Sequence, residues 1–225
     1  MREFYIITIH PSFIEAYLNF GTLKSAIDKK VARITPMNLR DFAVDRHGTV
    51  DSRPFGGGDG MVMRPEPLAA AIKSLPERPY VILTSPQGKV WKQNDARRLQ
   101  ALARPIALIC GRFGGVDERL ISHYVDEEIS LGDFVMSGGE LAALAILDSI
   151  LRLSPGVLGD QRSPELDSFT PAMAGLLEHP LYTKPEVFEG LSVPDVLRSG
   201  DHRKIEEWKK RESLAQTKKK RPDLL

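Results

Sequence analysis

Cysteine is almost missing from this chain of 225 residues: Cys110 stands alone. One thiol excludes an internal disulfide framework and any multi-cysteine metal site, and it makes a reducing, cytoplasmic setting the expectation. Long apolar runs are missing too. None approaches 18 residues, which excludes a membrane-spanning helix. The opening residues, MREFYIITIHP, lack the basic-then-apolar layout of a secretory leader. Excess charge of either sign is absent, since 31 Lys and Arg face 30 Asp and Glu. Bulk charge therefore does not announce a nucleic-acid partner, and any such partner has to be argued from local features. His10, His47, His123, His179 and His202 show no ligand spacing such as HExxH.

What is present reads as an ordinary globular chain, 42% hydrophobic and 27% charged, which excludes wholesale disorder. Short β-rich runs recur at Phe4–Ile9, Tyr80–Leu83, Ile106–Cys110 and Val125–Ile129. The run IALIC is apolar throughout, as expected of a strand covered on both faces of a parallel sheet. Helical patterns lie between the runs. Pro65 suits the first position of a helix to about Ser74, and Asp117 suits the cap of one through Tyr124. The spacing also predicts a helix over Asn94–Leu102. Ser137-Gly-Gly-Glu140 reads as a capping box ahead of LAALAILDSILRL. That helix is apolar nearly all round, which implies deep burial or a subunit interface. Strand–helix alternation over residues 1–155 argues one α/β domain.

Past Pro155 the texture changes. Residues 156–172 have no period and read as a linker, or as a loop ordered by a partner. A helix is expected from about Asp201 through Thr217, with Ile205 and Trp208 on one face. From Asp201 onward nine Lys and Arg face five Asp and Glu, and Lys218–Arg221 reads KKKR. This basic end is balanced between a nucleic-acid contact and a solubilising tail.

Three glycine-rich segments could carry chemistry. In RPFGGGDGMVM, Gly56, Gly57 and Gly58 permit positive φ and close approach of another chain, and Arg53 and Arg64 flank them with positive charge. It is neither a Walker A loop nor GxGxxG, and a structural turn is as good a reading. GRFGGVDER follows IALIC, where α/β proteins bind ligands at the carboxyl ends of strands; a tight strand-to-helix turn is the bland alternative. In LGDFVMSGGE, backbone groups bracketed by Gly132, Gly138 and Gly139 could read a purine edge, beside a helix N-terminus that favours an anion. Asp126-Glu127-Glu128 cannot converge on one ion, because neighbours on a strand point to opposite faces; a solvated edge is expected. Cys110 reads as a buried, inert thiol.

These segments together closely resemble one family, the bacterial tRNA (guanine-N1)-methyltransferases, TrmD. The resemblance rests on DRHGTVDSRPFGGGDGMVM, TSPQGKVW, LICGRFGGVDER, DEEISLGDFVMSGGELAALAILDS, RLSPGVLG, LDSF and HPLYTKPEVFEGLSVPDVLRSGDH, collinear over nearly the whole chain. It implies an α/β fold of the SPOUT type, with a parallel sheet and a C-terminal trefoil knot, plus a small helical C-terminal domain. The layout it implies is a methyltransferase domain over 1–160, a flexible linker over 161–172 and a tRNA-binding domain over 173–225. It also implies a cytoplasmic homodimer with its active site at the subunit interface, and tRNA as partner.

The resemblance further implies an S-adenosylmethionine (AdoMet) site made by Leu83, Thr84, Ser85 and Pro86, by Gly111 and Gly115, and by Leu131, Gly132, Asp133, Phe134, Val135, Met136, Gly138 and Gly139. An apolar, glycine-lined pocket suits a sulfonium methyl donor, whose charge disperses during in-line transfer. Guanine N1 carries a proton and needs a base, and charge developing on O6 needs a partner. The resemblance gives these roles to Asp167 of LDSF and Arg152 of SILRLSPG. Taken alone, Asp167 reads as a loop cap and Arg152 as a cation at a helix C-terminus. Arg53, Gly56, Gly57 and Gly58 are expected to meet the substrate, with Lys218, Lys219, Lys220 and Arg221 on tRNA phosphates. Mg2+ is a possible cofactor of the family, although no ligand set stands out here. The chain departs from the family pattern at Gly114, commonly Glu, at Asp59, commonly Pro, and at Ser52, commonly Asp. It also stops at Leu225 where relatives often continue, so a minimal or truncated small domain is expected.

Overall fold

The computed structural model describes residues 1–159 and 167–225. The chain divides into two compact units, Met1–Gly159 and Asp160–Leu225. In chain order the first unit holds β1 (Arg2–Thr8), α1 (Pro11–Leu18), α2 (Gly21–Asp28), β2 (Ala32–Asn38), β3 (Asp51–Ser52), β4 (Val62–Met63) and α3 (Pro65–Lys73). There follow β5 (Tyr80–Val90), α4 (Gln93–Gln100), β6 (Ile106–Cys110), α5 (Glu118–Tyr124), β7 (Glu127–Ser130) and α6 (Glu140–Leu151). Five strands form one parallel sheet in the order β2-β1-β6-β5-β7. The fold is α/β.

Side-chain alternation along the strands builds a core on each face of this sheet. Phe4, Ile6, Ile82, Ile106, Leu108 and Cys110 face one layer, with Ile14, Leu23, Ala96, Leu99 and the buried residues of α6. Tyr5, Ile7, Val81, Leu83, Ala107 and Ile109 face the other, with Leu68, Ala71 and Leu120 from α3 and α5. Leu108 and Ile82 are fully buried, so truncating either to Ala is expected to cost about 2–5 kcal/mol.

Several local expectations meet their elements. Pro65 opens α3. Asp117 caps α5, its carboxylate accepting the Arg119 N–H at 2.9 Å. The capping box before α6 does not form. Gly139 takes the N-cap position with no side-chain cap. The reason is competition for Glu140, which accepts from Thr8 Oγ1 at 2.7 Å and pairs with Arg112. Most of α6 is buried, although Leu141 is 57% exposed.

The second unit contains a short hairpin, β8 (Val187–Phe188) and β9 (Leu191–Ser192), then α7 (Asp195–Arg198) and α8 (His202–Lys220). Asp201 caps α8 by accepting the Lys204 N–H. Trp208 is buried on this helix with the rings of His179 and Tyr182 beside it. The helix runs past the expected end at Thr217, so Lys218, Lys219 and Lys220 form its last turn, where cations complement the helix dipole. Residues 161–166 of the expected linker lie outside the described residues. Its end is hydrogen-bonded into the second unit. Ser168 Oγ accepts the Glu178 N–H at 2.9 Å, and the Phe169 N–H donates to Leu176 O at 2.9 Å.

Candidate functional site

A cavity of about 370 Å³ opens at the carboxyl ends of β6 and β7 and beside the mid-strand interruption of β5, the region where open α/β sheets receive ligands. Three loops wall it. The first interrupts the β5–β7 pairing between Thr84 and Lys89. The second follows β6 from Gly111, and the third connects β7 to α6. Leu83, Thr84, Ser85, Pro86, Gly111, Gly115, Leu131, Phe134, Val135, Met136, Gly138 and Gly139 all line it. Gly132 and Asp133, expected in the same set, are not among the lining residues.

The loops meet closely because glycines let them. A Cβ on Gly139 would lie 1.8 Å from Thr84 Oγ1, and one on Gly111 would lie 2.6 Å from Thr84 O. Thr84 Oγ1 donates to Ile109 O at 3.1 Å and accepts the Gly111 N–H at 3.2 Å. The Gly139 N–H donates to Gly111 O at 2.9 Å. One hydroxyl and two glycines thus join the three loops into one wall.

Sequence reading missed several contributors. Arg112, Phe113, Val116, Glu118 and Glu128 also line the cavity. Phe113, Phe134 and Val135 are 47%, 56% and 85% exposed, so apolar surface surrounds the cavity as well. Nothing in the local pattern marked Arg112, because its partner Glu140 lies 28 positions on.

Arg53, Gly56, Gly57 and Gly58 lie elsewhere. β3 and β4 pair as an antiparallel hairpin, and these residues are exposed at its tip. The three glycines have φ of 85°, 81° and 114°, values that L side chains rarely adopt. Phe55 beside them is 98% exposed. The hairpin base is stitched to the cavity wall: the Met63 N–H donates to Gly115 O at 2.9 Å and the Gly114 N–H to Met61 O at 2.7 Å.

Arg152 stands at the C-cap of α6, its N–H donating to Asp148 O at 2.9 Å, and is half-buried. Asp167 is half-buried in the second unit. Lys218, Lys219 and Lys220 are exposed. Arg221 pairs with Asp223 at 2.7 Å and lies over the Phe169 ring. Phosphate contact by Arg221 therefore competes with a carboxylate already in place.

Two members of the acidic triplet are paired with arginines, where a solvated edge was expected, and the third, Glu128, lines the cavity. Asp126 accepts the Val81 N–H at 2.8 Å and meets Arg104 at 3.1 Å. Glu127 meets Arg98 at 2.6 Å. Cys110 is fully buried, and burial first and then the nearby Glu140 carboxylate push its thiol well above the ordinary range. Such a thiol matches the buried, inert reading of the sequence. Among the described residues no group of three or more His, Cys, Asp or Glu could hold a metal ion, and no helix is long and apolar enough to cross a membrane.

Comparison with known proteins decides the family. The model of the family described as tRNA (Guanine-1)-methyltransferase TrmD matches residues 1–225. The chain belongs to this family. A TrmD relative from Sulfurihydrogenibium sp., named tRNA (guanine-N(1)-)-methyltransferase, is 49% identical over 99% of this chain and 87% of its own length. One of the same name from Anoxybacillus flavithermus is 48% identical over 98% of this chain and 90% of its own. Among solved TrmD-type structures, the tRNA (m1G37) methyltransferase from Aquifex aeolicus superposes with a TM-score of 0.80 at 40% identity, covering 99% of this chain and 94% of that one. Membership of TrmD makes the chain an enzyme.

Proposed function

We propose that this chain transfers the methyl of AdoMet to N1 of the guanosine 3′ of the anticodon, position 37 of tRNA. The observation that carries the reading is the cavity at the ends of β6 and β7 and the interruption of β5. Its glycine-lined wall is built by the segments that the family resemblance marks for AdoMet. The residues fit that donor. The cavity is of ligand size, and its walls combine apolar side chains such as Leu83, Leu131 and Phe134 with polar ones and with the backbone of the glycine-rich loops. AdoMet, when bound, supplies an electrophilic methyl on a sulfonium.

The chain's own residues do the rest. Thr84, Gly111 and Gly139 fix the wall against which the donor is held, so that the methyl is aligned rather than activated. Asp167 takes the N1 proton of guanine, which frees the nitrogen lone pair for attack. Arg152 sets its planar guanidinium against O6, where negative charge collects. Arg53 and the Gly56–Gly58 hairpin tip approach the acceptor nucleotide, and the exposed last turn of α8 meets tRNA phosphates. Among the described residues no group of three or more His, Cys, Asp or Glu is placed to hold Mg2+.

The same reading makes residues 1–160 a SPOUT-type methyltransferase domain with a trefoil knot, 161–172 a linker and 173–225 a helical tRNA-binding domain. It makes the working form a cytoplasmic homodimer with its active site at the subunit interface. The exposed Phe134, Val135 and Leu141 support that assembly, because a second copy would cover apolar surface near the cavity. Incubation with labelled AdoMet and unmodified tRNA transcripts, followed by mapping of the methylated base, tests the proposal. Label is expected at N1 of the guanosine 3′ of the anticodon and is lost when that guanosine is replaced. Label at another base, or none with AdoMet bound, overturns it.

A further inference from the structure

A buried carboxylate that the proposed chemistry leaves unused sits behind the cavity. Glu140 is 3% exposed. Its Oε1 accepts from Thr8 Oγ1 at 2.7 Å, and Thr8 Oγ1 in turn accepts the His10 N–H at 2.9 Å. Arg112 Nε lies 3.2 Å from both carboxylate oxygens, and its Nη2 lies 3.1 Å from Oε2. Arg112 Nη1 then donates to Ser137 O at 3.3 Å. A backbone bridge joins Arg112 to Gly138 alongside these contacts.

The network has a definite geometry. Glu140 begins α6, Thr8 ends β1, Arg112 follows β6, and Ser137 closes the loop from β7. Four elements at one end of the sheet converge on one carboxylate. The guanidinium is planar, so its Nε and Nη2 grip both Glu140 oxygens while Nη1 reaches the Ser137 carbonyl, a fixed fork that a lysine ammonium does not reproduce. A Cβ on Gly138 would lie 2.2 Å from Arg112 Nε, so the cavity loop rests directly on this fork. A buried carboxylate with these partners is held in one orientation.

We propose that Arg112, Glu140 and Thr8 are positioning residues that hold the Ser137–Gly139 loop in its donor-binding conformation. The proposal rests on the reading that AdoMet occupies this cavity. It assigns the network to donor affinity, with tRNA affinity and chemistry at saturation left to other residues.

The test compares Arg112→Lys, Thr8→Val and Thr8→Ser with the wild type. AdoMet binding is measured by calorimetry, and KM for AdoMet, KM for tRNA and kcat by methyl transfer. Arg112→Lys is expected to bind AdoMet at least ten-fold more weakly, with KM for AdoMet rising in step. KM for tRNA, and kcat at saturating AdoMet, should stay within about two-fold. Thr8→Val removes one donor to Glu140 at nearly constant volume and should weaken AdoMet several-fold; it decides the question if Arg112→Lys does not fold. Thr8→Ser keeps the hydroxyl and should match the wild type. Wild-type AdoMet affinity in the folded Arg112→Lys and Thr8→Val variants overturns the proposal while leaving the assignment of the cavity intact. So does a parallel loss in both KM values and kcat that Thr8→Ser shares. Failure of the wild type to bind AdoMet at all overturns the cavity assignment and this proposal with it.

Discussion

Gly139 faces the Thr84 hydroxyl so closely that a methyl group on its Cα would lie 1.8 Å from Oγ1. The same methyl would stand 2.8 Å from Gly111 N and 3.0 Å from the Cys110 Cα. Two of these three neighbours are backbone, so the clash cannot be relieved by a rotamer change alone. Gly139→Ala is expected to lower the melting temperature and to abolish AdoMet binding, because the walls of the cavity must separate. Removing the hydroxyl as well, in Thr84→Ala with Gly139→Ala, should recover part of the stability but little of the affinity. Thermal unfolding and calorimetry on the two variants check this. A single variant that binds AdoMet like the wild type would show that the three loops are not held as one wall.

Arg152 carries a structural and a chemical role that one substitution separates. Lysine keeps the cation at the C-terminus of α6 and loses the planar fork. Arg152→Lys should melt within about 2 °C of the wild type, since a terminal cation contributes only about 0.3–1 kcal/mol either way. Its kcat should fall by roughly 10²–10³, the usual cost of losing one oxyanion donor, with AdoMet affinity unchanged. Equal turnover would leave Arg152 with its helix-end role alone.

Lys218, Lys219 and Lys220 occupy an exposed helical turn. If each neutralises a phosphate, changing all three to Gln should weaken tRNA binding. It should also reduce the slope of log K against log salt by about 2–3, at roughly 0.7–0.9 per contact. Binding isotherms at several salt concentrations give the slope directly. A weaker complex with an unchanged slope would assign the loss to helix stability.

Asp117 offers a pH-dependent check on the fold near the cavity. Its carboxyl is held below the ordinary value, first by the Arg119 side chain and then by the Arg119 backbone N–H. A depressed folded value means that its contribution is complete above the unfolded value and is lost as pH falls through the folded one. The native enzyme should therefore lose stability below about pH 4, the ordinary range for aspartate. Asp117→Ala, which loses about 1 kcal/mol as an N-cap, should show a shallower acid limb. Urea midpoints between pH 3 and pH 7 measure the difference, and parallel limbs would mean that other carboxylates govern it.

Much of the first unit was legible because local pattern and long-range packing agree there. IALIC is apolar at every position, and β6 is the central strand, buried on both faces. Pro65 and Asp117 mark helix starts through purely local geometry. β2 escaped notice because Pro36 interrupts its pattern. It lies at the sheet edge, pairing with β1 alone among the described residues, and an edge strand tolerates proline. The capping box at Ser137 failed for a different reason. Its glutamate bonds a threonine 132 positions away, and no window on the chain contains both. The cavity segments were visible as glycine clusters, but their convergence depends on Thr84 and Gly139 meeting across strands. Only the ordered family resemblance brought them together in advance.

The most direct test concerns Asp167. Asp167→Asn keeps size and hydrogen-bonding capacity but cannot accept the N1 proton. Single-turnover methylation of unmodified tRNA, with AdoMet affinity measured on the same preparation, isolates the proton step. The account expects a rate about 10²–10⁴ lower, the usual scale of general base catalysis, with AdoMet affinity unchanged. A near wild-type rate at unchanged affinity would contradict it.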